Sequence, residues 1–232
     1  MSPAPLLAKE DLDALRQFDT CMVANAVERF KVRLRNTGFT NGNIRCMFPE
    51  MPPTVGYAVT ARLRTGDAPT RGGAFHDRSE LWHGVLGIPE PRILVLQDMD
   101  SPPGVGALLG DMHAAILKAL GCIGYVTNGA VRELPDVGRM GFQLFAGSVV
   151  ASHAYSHVFD IGASITVGGM EVTWGTLLHG DRHGVLSVPA EVATQIPPIA
   201  AKIQRQQQDV IEFCRSPEFS TEKLSEILKQ WG

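Results

Sequence analysis

The sequence has little net charge and few cysteines, and both shortages exclude classes of protein. Its 21 lysines and arginines nearly balance 24 aspartates and glutamates, which leaves a net charge of −3. We therefore do not expect the basic surface that nucleic-acid binding requires. The four cysteines are scattered and form no C-x-x-C pair. This favours reduced thiols in the cytoplasm over a disulfide framework.

Long apolar runs, leader-like features and common catalytic motifs are also missing. No uncharged apolar run approaches the roughly 20 residues that a membrane helix needs. The opening residues Met-Ser-Pro-Ala-Pro are not the basic start of a signal peptide. There is no G-x-S-x-G motif, and Gly104 and Gly106 lack the acidic partner of a dinucleotide site. The sequence thus predicts a cytoplasmic protein that neither contacts a membrane nor binds a nucleotide.

The segment 93–133 is the most informative stretch of the chain. Apolar runs at 93–96 and 122–126 predict two strands. Between them, apolar residues at helical spacing predict a helix that begins near Gly110-Asp111 and ends at Gly121. This is the pattern of one βαβ unit, in which the two strands lie parallel.

Polar residues at the ends of this unit could meet at one place. If the two strands are parallel neighbours, the loops that follow them leave the sheet at the same edge. The helix N-terminus at Gly110-Asp111 would then approach Arg132 and Glu133. Free N–H groups at a helix N-terminus bind anions, and an arginine fork bonds both oxygens of a carboxylate. The two acids supply hard oxygens, which suit Mg²⁺ or Mn²⁺.

Each of these residues also has an ordinary structural interpretation. Taken alone, Arg132 is more often a surface residue that pairs with Glu133 or Asp136. Asp111 can stabilise the helix N-terminus whether or not it contacts a ligand.

The remaining segments predict strands in the middle of the chain and helices at both ends. We expect helices at 9–31 (capped by Asp11 or Asp13), 190–215 (interrupted by Pro197-Pro198) and 218–231. We expect strands at 55–63, 143–146 and 185–188, a hairpin around Gly168-Gly169, and irregular structure at 36–53, 65–80 and 147–160.

Three clusters of histidines are weaker candidates for a site: His76, Asp77 and His83; His153 and His157; and His179, Asp181 and His183. The first lies in a polar segment with no further signal. The second has the spacing of a chelate on a helix, but its neighbours are typical of a loop. In the third, the aspartate is predicted to fix a turn.

Several segments, taken together, resemble a known family. They are Thr20–Ala26, Val55–Thr60, Ala107–Asp111, Gly121–Glu133 and Asp181–Pro189. The third and fourth follow the pattern A-L-x-G-D/E, then G-x-x-G-x-V-x-(D/N)-G-x-V-R-D. This is similar to the RraA-like proteins, which include 4-hydroxy-4-methyl-2-oxoglutarate aldolases and the regulator of ribonuclease E activity. The resemblance extends over residues 18–195, most of the chain.

The resemblance implies an α/β fold, a compact β/β/α sandwich of the swivelling type with flanking N- and C-terminal helices. Residues 1–195 would form the RraA-like domain with its N-terminal helix, and residues 196–232 a C-terminal helical extension. Family members assemble as trimers or hexamers. We therefore expect a homotrimer or homohexamer in which the C-terminal helices, which have no obvious partner in their own chain, pack against a neighbouring subunit.

The resemblance also implies a substrate and roles for particular residues. Arg132 would grip the carboxylate of a small α-keto acid, and the rest of the substrate contact would come from Gly110, Asp111, Met112 and His113. Glu133 stands where the family has an aspartate that binds the divalent metal, Mg²⁺ or Mn²⁺. His113 replaces a usual apolar residue and is either a substrate contact or a partly buried histidine. Asp111 is the candidate for activating a water as a base.

The implied function is that of a divalent-metal-dependent lyase. It would cleave short 4-hydroxy-2-oxo acids by a retro-aldol reaction, or decarboxylate oxaloacetate, and release pyruvate. Because glutamate replaces aspartate at the metal position, the alternative is a non-catalytic protein that binds and regulates an RNA-degrading enzyme.

Overall fold

The computed structural model describes residues 6–68 and 78–229. In these residues the helices are α1 (Lys9–Leu15), α2 (Thr20–Phe30), α3 (Ser79–Leu86), α4 (Asp111–Ala119), α5 (Leu134–Arg139), α6 (Ile196–Arg215) and α7 (Thr221–Lys229), with a 3-10 turn at Ala193–Gln195. The strands are β1 (Arg45–Cys46), β2 (Thr54–Arg64), β3 (Arg92–Asp98), β4 (Ala107–Leu109), β5 (Cys122–Thr127), β6 (Ala130–Val131), β7 (Gln143–Ala146), β8 (Ser148–Val149), β9 (His157–Phe159), β10 (Ile165–Val167), β11 (Met170–Val172), β12 (Leu177–Asp181) and β13 (Gly184–Val188).

The main sheet has the order β1-β7-β5-β3-β2-β12-β13, and β9 pairs with β2. Strands β2, β3, β5 and β7 run parallel, whereas β12 and β13 are antiparallel to their neighbours. Residues 93–96 of β3 form an uninterrupted apolar run, as expected of a strand whose two faces are both covered. Leu94 and Leu96 point into the core beneath the helices, while Ile93 and Val95 point into a second core beneath the β10–β11 hairpin. The predicted α/β class is thereby confirmed.

The predicted βαβ unit is also confirmed. Strands β3 and β5 are parallel neighbours, and α4 forms the crossover between them. The helix ends where Gly121 adopts a left-handed φ of 75°, a conformation that glycine takes without a Cβ clash. At the carboxyl edge, the side-chain amide of Asn128 exchanges two hydrogen bonds with the backbone of Asp98, at 2.8 and 2.9 Å. These bonds hold the ends of the two strands together.

The prediction of one helix at 9–31 is wrong, because the chain forms α1 and α2 with a break at residues 16–19. Asp19 caps α2 by accepting a 2.7 Å hydrogen bond from the Met22 N–H. The side chain of an N-terminal cap satisfies an N–H group that would otherwise lack a partner. Neither Asp11 nor Asp13 caps α1, whose N-cap is Ala8.

The C-terminal helices differ from the prediction in two respects. Pro197 and Pro198 lie in the first turn of α6, where a missing N–H costs no helical hydrogen bond, so they begin the helix and do not interrupt it. Helix α6 also packs against α2, and its Ala200 and Ile203 are buried, so the expectation that it lacks a partner within the chain is wrong. Helix α7 buries no residue. The boundary at residue 195 and the assembly into trimers or hexamers stay predictions.

The structure can also be compared with the loops and the hairpin that were predicted from local sequence patterns. The hairpin is confirmed, since Gly168 and Gly169 both have positive φ, at 56° and 81°. Segments 36–53 and 147–160 contain the short strands β1, β8 and β9, so they are less irregular than predicted. The predicted loop at 65–80 falls largely on residues 69–77, outside the described chain, as do His76 and Asp77. Helices of the described segments are all too short or too polar to cross a membrane.

A buried histidine ties α1 and α2 to the sheet. His179 on β12 has no exposed surface. Its Nε2 lies 3.2 Å from the Leu15 carbonyl, and its Nδ1 lies 3.0 Å from the Thr20 hydroxyl. A carbonyl can only accept, so Nε2 carries the hydrogen and Nδ1 accepts from Thr20. Asp181 also accepts from the Thr20 N–H at 2.9 Å, and burial lowers the pKa of His179.

The neutral state of His179 predicts a loss of stability in mild acid. Because the folded pKa lies below the unfolded value of about 6.5, the unfolded chain binds more protons there, and stability falls as the pH drops below about 6.5. We expect up to about 1.4 kcal/mol of loss per pH unit from this group. Urea unfolding between pH 8 and 5 should show a shallower pH dependence for His179→Gln than for the parent. Equal slopes for the parent and His179→Gln would contradict this account.

Candidate active site

A cleft of about 470 Å³ lies between α3 and the N-terminus of α4. It is lined by all six residues that the sequence singles out: Gly110, Asp111, Met112, His113, Arg132 and Glu133. The sequence therefore identifies the residues of one surface, although their roles in binding or catalysis stay predictions.

A small second sheet, and not the main sheet, brings these residues together. Strands β4 and β6 are parallel neighbours in the order β4-β6-β8. The Arg132 N–H donates a 3.0 Å hydrogen bond to the Leu109 carbonyl, which extends this pairing by one residue. Strand β4 leads directly into α4, and β6 leads directly into Arg132 and Glu133. The helix N-terminus and the arginine therefore leave the same edge of the small sheet.

The Glu133 carboxylate connects the two groups that were predicted to bind an anion. One oxygen pairs with the Arg132 guanidinium, and the other accepts a 3.0 Å hydrogen bond from the Asp111 N–H at the start of α4. The Arg132 hydrogen bond and then the Asp111 N–H lower the pKa of Glu133. The pairing of Arg132 with Glu133 is thus present, and it lies inside the cleft.

Gly110 leaves space for the Glu133 carboxylate in its present position, and its backbone conformation does not require glycine. Its φ of −133° is open to any residue, but a Cβ at this position would collide with the Glu133 carboxylate. The neighbouring Asp111 folds back and accepts a hydrogen bond from the Met112 N–H. Two of the first N–H groups of α4, those of Asp111 and Met112, are therefore satisfied by carboxylates of the chain itself.

His113 contacts a second guanidinium that the sequence analysis did not single out. Arg78 donates from Nη1 to the His113 Nε2, and its Nη2 lies 3.4 Å from the Ser156 carbonyl. Burial and the nearby charges of Arg78 and Arg132 lower the pKa of His113 to about 4. The imidazole is therefore neutral at physiological pH, so Nε2 accepts while Nδ1 carries the hydrogen.

Arg78, Trp82 and His153 also line the cleft. Trp82 belongs to α3 and Arg78 is the N-cap of this helix, and the polar, Gly-rich segment before the helix gave no periodic signal. His153 lies in a loop and His157 on β9, so they do not share the helix that a chelating pair would need. Asp181 accepts from the His183 N–H at 2.8 Å, which confirms its predicted role in the turn.

A second cavity of about 320 Å³ lies between α2, the segment 33–40 and β13. Its two arginines are already engaged, since Arg33 donates to Ser187 and Arg35 pairs with Glu28. This cavity contains none of the predicted site residues.

Comparison with known proteins identifies the family of this fold. Residues 20–187 match the family model described as RraA-like, Aldolase/RraA. The chain belongs to the RraA-like family. A protein of Halalkalibacterium halodurans, provisionally named 4-hydroxy-4-methyl-2-oxoglutarate aldolase, is 31% identical over 84 residues. That match spans 36% of this chain and only 40% of the relative.

Two solved structures share the RraA-like fold over nearly the whole chain. An uncharacterized protein of Pseudomonas syringae pv. tomato DC3000 has a TM-score of 0.74 at 19% identity, covering 98% of this chain and 96% of that one. Streptomyces coelicolor RraAS2, described as an unusual member of the RNase ES inhibitor RraA protein family, has a TM-score of 0.68 at 18% identity, covering 91% and 100%. The predicted β/β/α sandwich with flanking helices is confirmed.

The donors in this RraA-like cleft suit one kind of metal site. No group of three or more His, Cys, Asp and Glu side chains within residues 6–68 and 78–229 could enclose an ion. Glu133 and Asp111 do place two carboxylates in one open cleft. Mg²⁺ is commonly held by one or two carboxylates and keeps several waters. The donor set thus fits an ion held largely through water.

The capping contact of Glu133 predicts a measurable effect on stability. Glu133→Ala removes the acceptor at the N-terminus of α4 and should lower the free energy of unfolding by about 0.5–1 kcal/mol at neutral pH. Because the folded pKa lies below the ordinary value of 4.5, this contribution is present above that value and disappears as the pH falls through the folded pKa. Chemical denaturation at pH 7 and pH 3 tests this, with the exposed Glu226→Ala on α7 as control. A Glu133→Ala protein as stable as the parent at pH 7 would show that the contact is not a cap.

Proposed function

We propose that this RraA-like protein is a divalent-metal-dependent lyase. Its substrates would be short 4-hydroxy-2-oxo acids, cleaved by a retro-aldol reaction, and oxaloacetate, which it would decarboxylate; both reactions release pyruvate. One observation carries the proposal: Arg132 and the N-terminus of α4 converge on a single carboxylate in the cleft, that of Glu133. A cleft built to hold a carboxylate at this point fits the carboxylate end of a 2-oxo acid.

In this proposal Arg132 binds the substrate carboxylate. Its planar fork can bond both oxygens, and its fixed positive charge offsets the charge that develops on the pyruvate fragment when the carbon–carbon bond breaks. The substrate carboxylate would take the place of the Glu133 carboxylate between Arg132 and the Asp111 N–H. Substrate binding therefore requires the Glu133 side chain to turn away.

Asp111 is the proposed base for retro-aldol cleavage. Acting through a water, it would take the proton of the 4-hydroxyl group. The oxygen on C4 then forms a carbonyl group as the C3–C4 bond breaks, and the electron pair of that bond moves onto the pyruvate fragment as an enolate. The C4 fragment leaves as a carbonyl compound, and the enolate takes a proton at C3 to give pyruvate. Decarboxylation of oxaloacetate begins from a carboxylate that is already ionised, so it needs no such base and should depend less on Asp111.

The divalent ion, Mg²⁺ or Mn²⁺, would be held by Glu133, largely through water. When bound, it supplies a Lewis acid for the 2-oxo and carboxylate oxygens of the substrate. Glutamate and aspartate carry the same two oxygens and differ by one methylene, so Glu133 should alter affinity for the ion without abolishing it. The side chain that leaves Arg132 when substrate arrives would be free for this role.

We expect Arg132→Lys to lose most of the activity. A lysine keeps the charge but cannot form the two parallel hydrogen bonds of the fork. The loss of a charged hydrogen bond predicts a fall in kcat/KM of roughly 10- to 100-fold. The measurement is pyruvate release from oxaloacetate with Mg²⁺ present. Arg139→Lys, an exposed arginine on α5, serves as the matched control. If Arg132→Lys retains the kcat/KM of the parent, Arg132 has no such role.

The metal dependence is tested by a Mg²⁺ titration of the parent, Glu133→Asp and Glu133→Ala, starting from chelated protein. We expect no pyruvate release after chelation, saturable activation of the parent, equal or higher activity for Glu133→Asp, and none for Glu133→Ala. Full turnover after exhaustive chelation would exclude the metal mechanism. If only Glu133→Asp turns over, the glutamate is disabling and the non-catalytic, regulatory alternative is favoured.

A further inference from the structure

The second cavity, between α2, the segment 33–40 and β13, shares no lining residue with the proposed active-site cleft. Its volume of about 320 Å³ lies at the lower end of the range for sites that bind small molecules. Six of the residues that line it have apolar side chains: Ala24, Val27, Leu34, Phe39, Val185 and Leu186. Two of these, Leu34 and Phe39, are 72% and 44% exposed. The cavity thus offers apolar surface that the described residues leave uncovered.

One wall of this cavity is held in place by pairing with β13. The Ser187 N–H donates a 2.9 Å hydrogen bond to the Gly38 carbonyl, and the Thr40 N–H donates a 2.9 Å hydrogen bond to the Val185 carbonyl. The Thr40 hydroxyl in turn accepts from the Val185 N–H at 3.1 Å. Because hydrogen bonds to the strand fix this wall, the cavity is preformed, as binding sites for small molecules usually are.

Arg33 brings a positive charge to the cavity, and the chain holds its guanidinium with neutral groups. Its Nη1 donates to the Ser187 carbonyl at 2.7 Å and to the Ser187 hydroxyl at 2.8 Å. The guanidinium lies against Gly38, where a Cβ would collide with it. The φ of 81° at Gly38 also favours glycine. These contacts position the guanidinium without neutralising it.

The charge of Arg33 is not compensated by the part of the chain that the structure describes. Glu28 is the only acid among the described residues that line the cavity, and it pairs with Arg35. Burial lowers the pKa of Arg33, and the more distant charge of Glu191 opposes this only in part. This is the effect expected for a cation that is partly desolvated without a counter-ion. The hydrogen bonds to Ser187 use only Nη1, which leaves the Nε–Nη2 edge for an anion.

We propose that this cavity binds a small carboxylic acid with an apolar body, and that Arg33 binds its carboxylate. The Nε–Nη2 edge would bond both carboxylate oxygens in one plane, while the apolar side chains of the cavity would cover the aryl or alkyl group. An uncharged ligand would leave Arg33 without a counter-ion, and acetate would leave the apolar wall exposed. The proposal is independent of the proposed lyase function because it involves no residue of the cleft.

Titration calorimetry with three related ligands tests this proposal. The first is 3-phenylpropanoate, the second is 3-phenylpropanamide, which replaces the carboxylate by a neutral amide, and the third is acetate, which lacks the apolar body. We expect the parent to bind 3-phenylpropanoate roughly 10- to 100-fold more tightly than the amide, the range for a charged hydrogen-bonded contact. Acetate should bind more weakly than 3-phenylpropanoate because it buries less apolar surface.

Three arginine variants locate the bound acid. Arg33→Met should weaken the binding of 3-phenylpropanoate by a similar factor and change the Kd of the amide much less. Arg139→Met, which removes an exposed arginine on α5, should behave as the parent. Arg132→Lys should also bind the acid as the parent does, because it changes the cleft and not this cavity.

A second pair of variants does not disturb the contacts of Arg33 with Ser187. Leu34 is largely exposed, so Leu34→Gln and Leu34→Glu should both fold, and the two side chains differ chiefly in charge. The carboxylate of Leu34→Glu should weaken the binding of 3-phenylpropanoate relative to Leu34→Gln, while both variants bind the amide equally. Melting curves establish that each variant is folded, and the Leu34 pair carries the comparison if Arg33→Met is not.

The carboxylate site at Arg33 would be overturned if the parent bound no 3-phenylpropanoate or bound the acid and the amide with equal Kd values. Undiminished binding of the acid by folded Arg33→Met would have the same consequence, as would equal binding of the acid by the two Leu34 variants. Loss of binding in Arg132→Lys would place the acid in the cleft and would also contradict the proposal.

Discussion

The Glu133 carboxylate, shared between the Arg132 guanidinium and the first N–H of α4, is the contact on which the candidate site depends. It shows that a guanidinium and a helix N-terminus approach closely enough to hold one carboxylate between them. Both groups favour an anion for independent reasons, the first through its fixed charge and the second through its free N–H groups and the helix dipole. The extra methylene of glutamate over aspartate gives the side chain the reach to occupy this position itself.

The arrangement is produced by strand pairing that begins well away from the cleft. The buried parallel strands β3 and β5 are joined at their carboxyl ends by Asn128 and Asp98. The short β4–β6 pair ends at Leu109, one residue before α4, and at Val131, directly before Arg132. The absence of a Cβ on Gly110 then leaves room for the Glu133 carboxylate.

The sequence predicts the βαβ unit and six residues of the cleft because those features are local. The apolar runs of the strands, the glycine at the end of α4 and the helix start at Gly110-Asp111 can each be recognised from residues that are close together in the sequence. The features that it does not predict depend on distant contacts. The break between α1 and α2 is held by His179 and Asp181 on β12, and Arg78 enters the cleft only because Ser156 and His113 receive its side chain. The sequence near residue 78 gives no indication that His113 and Ser156 are its partners.

The most direct test of the central claim is a crystal structure of the protein with Mg²⁺ and pyruvate. The account predicts that the pyruvate carboxylate lies between Arg132 and the N-terminus of α4, with the Glu133 side chain turned away from both groups. Pyruvate bound elsewhere in the cleft, with Glu133 still bonded to Arg132 and to the Asp111 N–H, would contradict it.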